Sequence, residues 1–300
     1  MHDYGVRVDK ALNQVTLERL QQLTTDTDSL TMDKMSHKLC LLRREDINDV
    51  ESDFLISPIT EHIQYEIANR ILFCSLQRQI ETFQSLYSNP SSKAMSGTVF
   101  ENIFHLRFRQ RIFIQFMPMV RSDKRRNLRW HASYCAIKPS VFDAEELEKK
   151  RQVALRHCVT LEVHHPSFFV YDRLAFALRQ NVYYIPKKLN EAVFASFILK
   201  DDILYLFQFT VFEEHRINDK LILRFEECTN VPPRDKWRFI LIIPDDVEAL
   251  ECLYPKNQGL QKLNSFSSQV SVNDFANSVT RQELEFEEEE GGPHHQETES

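Results

Sequence analysis

Glycine is nearly absent from this 300-residue chain, which carries five, at Gly5, Gly97, Gly259, Gly291 and Gly292. That scarcity excludes whole chemistries. No Gly-x-Gly-x-x-Gly, Gly-x-x-x-x-Gly-Lys-Ser/Thr or Gly-x-Ser-x-Gly occurs, so the sequence offers no dinucleotide fingerprint, no phosphate-cradling P-loop and no nucleophile elbow. Long apolar runs are missing too. No window reaches the roughly 18 apolar residues of a membrane helix, and MHDYGVRVDKALNQV lacks the apolar core of a secretory signal. The six cysteines, Cys40, Cys74, Cys135, Cys158, Cys228 and Cys252, include no Cys-x-x-Cys pair. They read as buried thiols of a reducing compartment, cytoplasm or nucleus. Cys158 with His164 and His165, or His215 with Cys228, has no zinc spacing, so no metal site is read from them.

The formal charge of -7 is unevenly spread: eight glutamates (Glu283, Glu285, Glu287 to Glu290, Glu297 and Glu299) fall in the last 19 residues, and without them it would be +1. That tail is read as a disordered, solvated segment. The chain as a whole is 42% hydrophobic, enough for a packed core. Three segments are expected: a polar N-terminal region (1–56) with one strand-like island, HKLCLLRRED; an α/β domain (57–261); and a Ser/Asn/Gln-rich linker with the acidic tail (262–300).

Within 57–261 the spacing of Ile63, Ile67, Ile71, Leu72, Leu76, Ile80, Phe83 and Leu86 predicts a helix from Ser57-Pro58 to Asn89-Pro90. A second helix is expected to begin near Gly97, with Val99, Phe100, Ile103 and Phe104 on one side and Glu101 beside that stripe. FIQFMPM, RWHASYCAI, CVTLEV, FFVY, NVYYIP and WRFILIIP read as strands, and DAEELEKKRQVAL and DDVEALECLY as helices. The fold class is therefore α/β in the broad sense, an α+β mixed sheet covered by helices.

The stretch NEAVFASFILKDDILYLFQFT reads as a hairpin turning at Asp201-Asp202. A two-residue turn pairs Lys200 with Ile203 and, by extension, Ala195 with Gln208, which puts Ala195, Gln208, Thr210, Leu204 and Leu206 on one face. The bland account of Gln208 and Thr210 is that they satisfy each other or nearby backbone groups. A further cluster, Arg107, Arg109, Arg111, Arg121, Lys124, Arg125, Arg126 and Arg129, is opposed by Asp123 alone. With Phe108, Phe113, Phe116 and Trp130 interleaved, it is suited to phosphates and base stacking; alternatively these are solvated loop and sheet-edge cations.

The order GTVFENIFH, VYYIPKKLNEAVFASFIL, LYLFQFTVFEEHRI resembles the C-terminal region of Crinkler and retrotransposon-hot-spot type proteins over roughly residues 35–245. The resemblance implies a PD-(D/E)xK, restriction-endonuclease-like core flanked by helices. In that family a helix Glu, a strand Asp and a Glu/Gln-x-Lys-like motif bind a divalent metal that drives phosphodiester hydrolysis. Carried over, the helix residue is Glu101, the strand Asp falls at Ala195, the last motif is Gln208-Phe209-Thr210, and His215 lies at the site edge. Ala195 supplies no ligand, Gln208 only a neutral oxygen and Thr210 no positive charge, so the pattern is degenerate. HKLCLLRREDINDVESDFLISP is similar to the segment trailing the family's P-loop NTPase, which implies a truncated or decayed copy.

Three functions stay open: an inactive nuclease-like module binding nucleic acid through its arginines; an active Mg²⁺-dependent DNA endonuclease using Glu101, Gln208 and a misaligned carboxylate such as Glu191, Asp201 or Asp202; and a protein-interaction domain. The resemblance also allows delivery into a host cell as an effector. DNA and protein are the partners considered, with no membrane and no assigned oligomeric state.

Overall fold

Two aspartates set the register at the centre of the fold. The computed structural model describes residues 40–44, 54–58, 60, 63, 71, 74–89, 92–122, 129–133, 144–187, 196–217, 224–247, 250–253 and 263–272. Asp201 and Asp202 turn the chain at φ 52° and 57°, both in the left-handed region that a two-residue type I′ turn requires. The flanking strands β9 (Ser196–Lys200) and β10 (Ile203–Phe209) pair Lys200 with Ile203 and every residue back to Ser196 with Phe207. This is the register expected from the sequence; Ala195 itself lies outside the described residues.

The hairpin is the middle of an eight-stranded mixed sheet. On one side β10 runs parallel to β12 (Trp237–Pro244), and β12 runs parallel to β14 (Asn264–Val270). Then β14 pairs antiparallel with β3 (Arg111–Pro118), which pairs antiparallel with β6 (Val159–His164). On the other side β9 pairs antiparallel with β8 (Val182–Pro186), and β8 runs parallel to β7 (Ser167–Tyr171). The order is β6-β3-β14-β12-β10-β9-β8-β7. Its two edge strands, β6 and β7, are joined by His165 and Pro166 alone, so the sheet must curl until its ends approach. Lys200 Nζ accordingly donates to the backbone oxygen of Glu162, linking β9 to β6 across the mouth of the curl.

The curl encloses two helices. α1 (Leu76–Ser88) is capped by Ser75, whose hydroxyl accepts from Arg78 N, and stops at Asn89 in extended backbone. α2 (Lys93–Gln110) follows. Phe83 of α1 and Phe100, Phe104 and Phe108 of α2 pack with Tyr205, Phe207, Phe209, Ile240 and Ile242 into one core. At about 1.5–3 kcal/mol per fully buried large side chain, this cluster is the dominant local drive for the wrapping. The sheet's outer face carries a second core, Phe197, Leu199, Leu204, Leu206, Phe239 and Leu241. Against it packs a small sheet of β11 (Glu214–Arg216), β13 (Glu251–Leu253), β5 (Arg129–His131) and β4 (Val120–Ser122), through residues such as Trp130 and Cys252. α3 (Ala144–Leu155) lies over β3 and β4, and β1 (Cys40–Arg44) pairs antiparallel with β2 (Phe54–Pro58).

Four expectations are corrected. Asn264–Val270 is a strand held between β12 and β3 instead of a linker, because Ser265, Ser267 and Ser268 are small enough to be buried there and Phe266 joins the inner core. Within DDVEALECLY, Glu251–Leu253 is a strand between β11 and β5. Ser57-Pro58 closes β2 and caps no helix; Ile63 and Ile71 are helical and buried, but the helix described as continuous begins only after Ser75. α2 starts at Lys93, four residues before Gly97. Beyond residue 272, the expected tail lies outside the described residues. No disulfide joins Cys74, Cys158, Cys228 or Cys252, and no helix among the described residues is long and apolar enough to cross a membrane.

Candidate functional site

Glu101 is on α2, as the sequence implies, but α2 is buried nearly all round. Its polar residues Glu101, Asn102 and His105 are therefore taken inside with its phenylalanines, at 5%, 1% and 4% exposure. A carboxylate so placed needs a partner. Glu101 Oε1 lies 3.3 Å from His105 Nε2, one helical turn on. His105 Nδ1 is 2.7 Å from the Tyr183 hydroxyl of β8, which donates to Ser196 Oγ of β9 at 2.7 Å. Four side chains from three elements thus form one buried polar chain beneath the sheet. Burial pushes the Tyr183 hydroxyl well above the ordinary tyrosine range; the Glu101 charge adds to this, against the opposing hydrogen bond to Ser196.

Such a chain can pass protons along itself and is closed off from solvent. Ser196 and Tyr183 are fully buried, and the His105 ring is enclosed against Phe209 at 5.6 Å between centroids. The chain satisfies polar groups in an otherwise aromatic interior.

The other expected site residues do not join Glu101. Gln208 alternates with Leu204 and Leu206 and is opposite Leu241, so it faces the outer core while Glu101 lies on the inner side. Its Nε2 donates to Phe209 O at 3.3 Å. Thr210 is buried at the end of β10, where its hydroxyl accepts from Phe212 N at 3.2 Å and its own N–H donates to Ile242 O. Thr210 thus serves local backbone groups, whereas Gln208 does so through Nε2 alone, its Oε1 being out of solvent without a hydrogen-bond partner. His215 is in β11, opposite Cys252, in the small sheet that covers the outer core. Its Nε2 is out of solvent without a hydrogen-bond partner, and burial pulls its pKa down to about 4. Asp201 and Asp202 are turn residues at the exposed hairpin tip, Asp202 accepting from Gln180 Nε2 at 3.1 Å. Glu191 lies outside the described residues.

The magnesium that the resemblance implies does not fit this arrangement. The carboxylate is engaged with His105, the amide is on the opposite face of the sheet, and the threonine hydroxyl is committed to a turn. Among the described residues no group of three or more His, Cys, Asp or Glu is arranged to hold a metal ion.

The cationic residues divide by location. Arg109 is exposed at the end of α2 with its guanidinium 4.9 Å from the Phe168 ring centre. Arg111 is exposed on β3, 5.4 Å from the Phe113 ring centre and ion-paired with Glu162. Arg129 is half-buried and ion-paired with Glu251. Arg107 is half-buried, while Arg121 is exposed on β4. Lys124, Arg125 and Arg126 lie outside the described residues.

Arg121 also borders a feature that sequence reading missed. A groove of about 580 Å³ runs between α3 and β4, with Arg121, Lys149, Lys150 and His157 at its walls and Met119 and Val153 among its apolar lining. The i, i+3, i+4, i+7 spacing of Lys150, Val153, Ala154 and His157 is the signal that would have put them on one helical face. For His105, Tyr183 and Ser196 no local signal exists, since sheet closure brings them together. Compared with known proteins, the chain matches no family model, no curated protein and no solved structure.

Proposed function

We propose that this chain is a nuclease-like α/β module of the Crinkler or retrotransposon-hot-spot type which no longer performs metal chemistry and binds nucleic acid through exposed arginines. One observation carries the loss of chemistry: Glu101 is spent on His105 in the interior, while Gln208 projects to the other side of the sheet. The order of elements supports the nuclease-like reading, since a glutamate-bearing helix precedes a hairpin that contains the third motif. The binding half rests on two exposed Arg–Phe pairs, Arg109 with Phe168 and Arg111 with Phe113, which offer phosphate and base contacts together once Arg111 exchanges its exposed Glu162 partner for phosphate. The Arg121, Lys149 and Lys150 groove adds phosphate sites; Lys149 and Lys150 have i−4 glutamate partners, but such exposed pairs are weak enough to exchange for phosphate.

The test is a titration of fluorescent single-stranded and duplex DNA across salt concentrations. Log affinity should fall linearly with log salt by roughly 0.7–0.9 per phosphate contacted. Arg109→Glu with Arg121→Glu should weaken binding and flatten that slope. No binding at low salt, or a salt response unaffected by the double variant, contradicts the proposal.

A further inference from the structure

The groove between α3 and β4 forms where the chain leaves the large sheet for the small one. β3 ends at Pro118, whose ring carries no N–H for a ladder. Met119 N donates to Ser265 O at 2.9 Å, and β4 departs from Val120. α3 lies across that junction, anchored by Arg151 Nε, which donates to Ser133 O. The helix is charged over most of its length, AEELEKKRQVAL, yet its Val153 is 57% exposed, more than any other large apolar side chain among the described residues. Val153 lines the groove. Every lining residue is a described one, and the volume of about 580 Å³ lies inside the range of small-ligand sites, about 300–1,000 Å³.

The chemistry of the groove changes along α3, and the order selects an occupant. Arg121, Lys149 and Lys150 supply cations, and no carboxylate lines the groove. Glu145 and Glu146, which pair with the two lysines at 2.8 and 3.5 Å, sit one turn back, outside the lining. Lys150 Nζ also donates to Arg121 O at 3.3 Å, which holds it over β4. One turn further along come Val153 and Ala154, which with Met119 and Val120 make the apolar part. A turn beyond them His157 Nδ1 lies 2.7 Å from Val153 O. A carbonyl only accepts, so Nδ1 carries the proton and, in the neutral ring, Nε2 is an acceptor. Cations, an apolar strip and an acceptor in that order complement a phosphate, a base and the N–H groups on the base edge. Inorganic phosphate would leave the strip unused, and an acyl chain would leave the acceptor unused. Bases stacked inside a duplex reach such a groove only after unstacking, which costs least in a single strand.

We infer that the α3–β4 groove is a subsite for one unpaired nucleotide of a single strand, with its phosphate on Arg121, Lys149 and Lys150, its base against Val153, Ala154 and Met119, and a base N–H on His157 Nε2. The inference rests on the nucleic-acid reading and narrows it to single strands. It assigns the groove a base contact in addition to phosphate contacts, separate from the two Arg–Phe pairs.

The test compares, on the full chain, a thymidine octanucleotide with an abasic octamer that keeps every phosphate. The wild type should bind the thymidine strand roughly tenfold more tightly, and that strand alone should shift the methyl signals of Val153 and Met119. Val153→Gln should bring the ratio below about threefold, while Val153→Leu should retain it. Equal, salt-sensitive affinity for the two octamers would overturn the base subsite and leave the nucleic-acid reading standing. A base preference that survives Val153→Gln, with the Val153 and Met119 methyls unmoved, would place the base elsewhere and overturn it as well. Phosphatidylserine vesicles that shift those methyls where the thymidine strand does not would make a lipid the occupant. Binding of neither octamer at low salt would remove both readings.

Discussion

The Tyr183 hydroxyl lies 2.7 Å from Ser196 Oγ and 2.7 Å from His105 Nδ1, joining two neighbouring strands to the enclosed helix. Removing that one oxygen should leave a ring nitrogen and a hydroxyl buried without partners. Tyr183→Phe is expected to destabilise the fold by about 1–3 kcal/mol in urea unfolding. Adding Ser196→Ala should cost less than it does alone, a coupling that a double-mutant cycle measures directly.

Half-buried His215 makes stability depend on acid. Its folded pKa, about 4, lies below the ordinary histidine value of 6.5, so the unfolded chain binds the proton more tightly. Its neutral form is accommodated fully above pH 6.5, and stability falls as pH drops from 6.5 toward 4. Between pH 7 and 4.5 this group alone should remove roughly 2–3 kcal/mol. Urea titrations should show a smaller acid loss in His215→Phe than in the wild type. An equal loss in both would assign the acid sensitivity elsewhere, His131 being another histidine that burial holds below its ordinary pKa.

The hairpin turn can be improved. Asp201 and Asp202 both have positive φ, where glycine and asparagine sit at less cost. Asp201→Asn with Asp202→Gly should stabilise by up to about 1 kcal/mol, net of the lost Gln180 hydrogen bond. Asp201→Val should destabilise by about 1–2 kcal/mol. Thermal midpoints of the two variants moving in the same direction would contradict this turn.

The serine-rich segment 264–270 should behave as core. Ser267 is fully buried between β12 and β3, so Ser267→Leu should overpack the site and cost about 1–3 kcal/mol. A solvated linker would tolerate the change with no shift in the unfolding midpoint.

These cases show what was legible in the sequence. The hairpin register could be read because two adjacent aspartates dictate a two-residue turn, and period-two alternation then fixes every pair from Lys200–Ile203 to Ser196–Phe207. WRFILIIP was legible because a strand buried on both faces is a continuous apolar run. Segment 264–270 was not, because sheet closure there selects small side chains and serine also signals loops. That Glu101 lies on a helix was legible, but its burial was not: polar positions on α2 look solvent-facing until the two ends of a curled sheet are known to meet around them. The edges β6 and β7 are only two residues apart in sequence, yet their places at opposite ends of eight strands depend on pairings that no local pattern encodes.

The central claim, that Glu101 serves the interior and no metal, is tested most directly by supercoiled-plasmid nicking with Mg²⁺ or Mn²⁺, comparing the wild type with Glu101→Gln at matched folded fraction. The account predicts no metal-dependent nicking above buffer by either protein, with Glu101→Gln differing in unfolding midpoint alone. Metal-dependent nicking by the wild type that Glu101→Gln abolishes would contradict it.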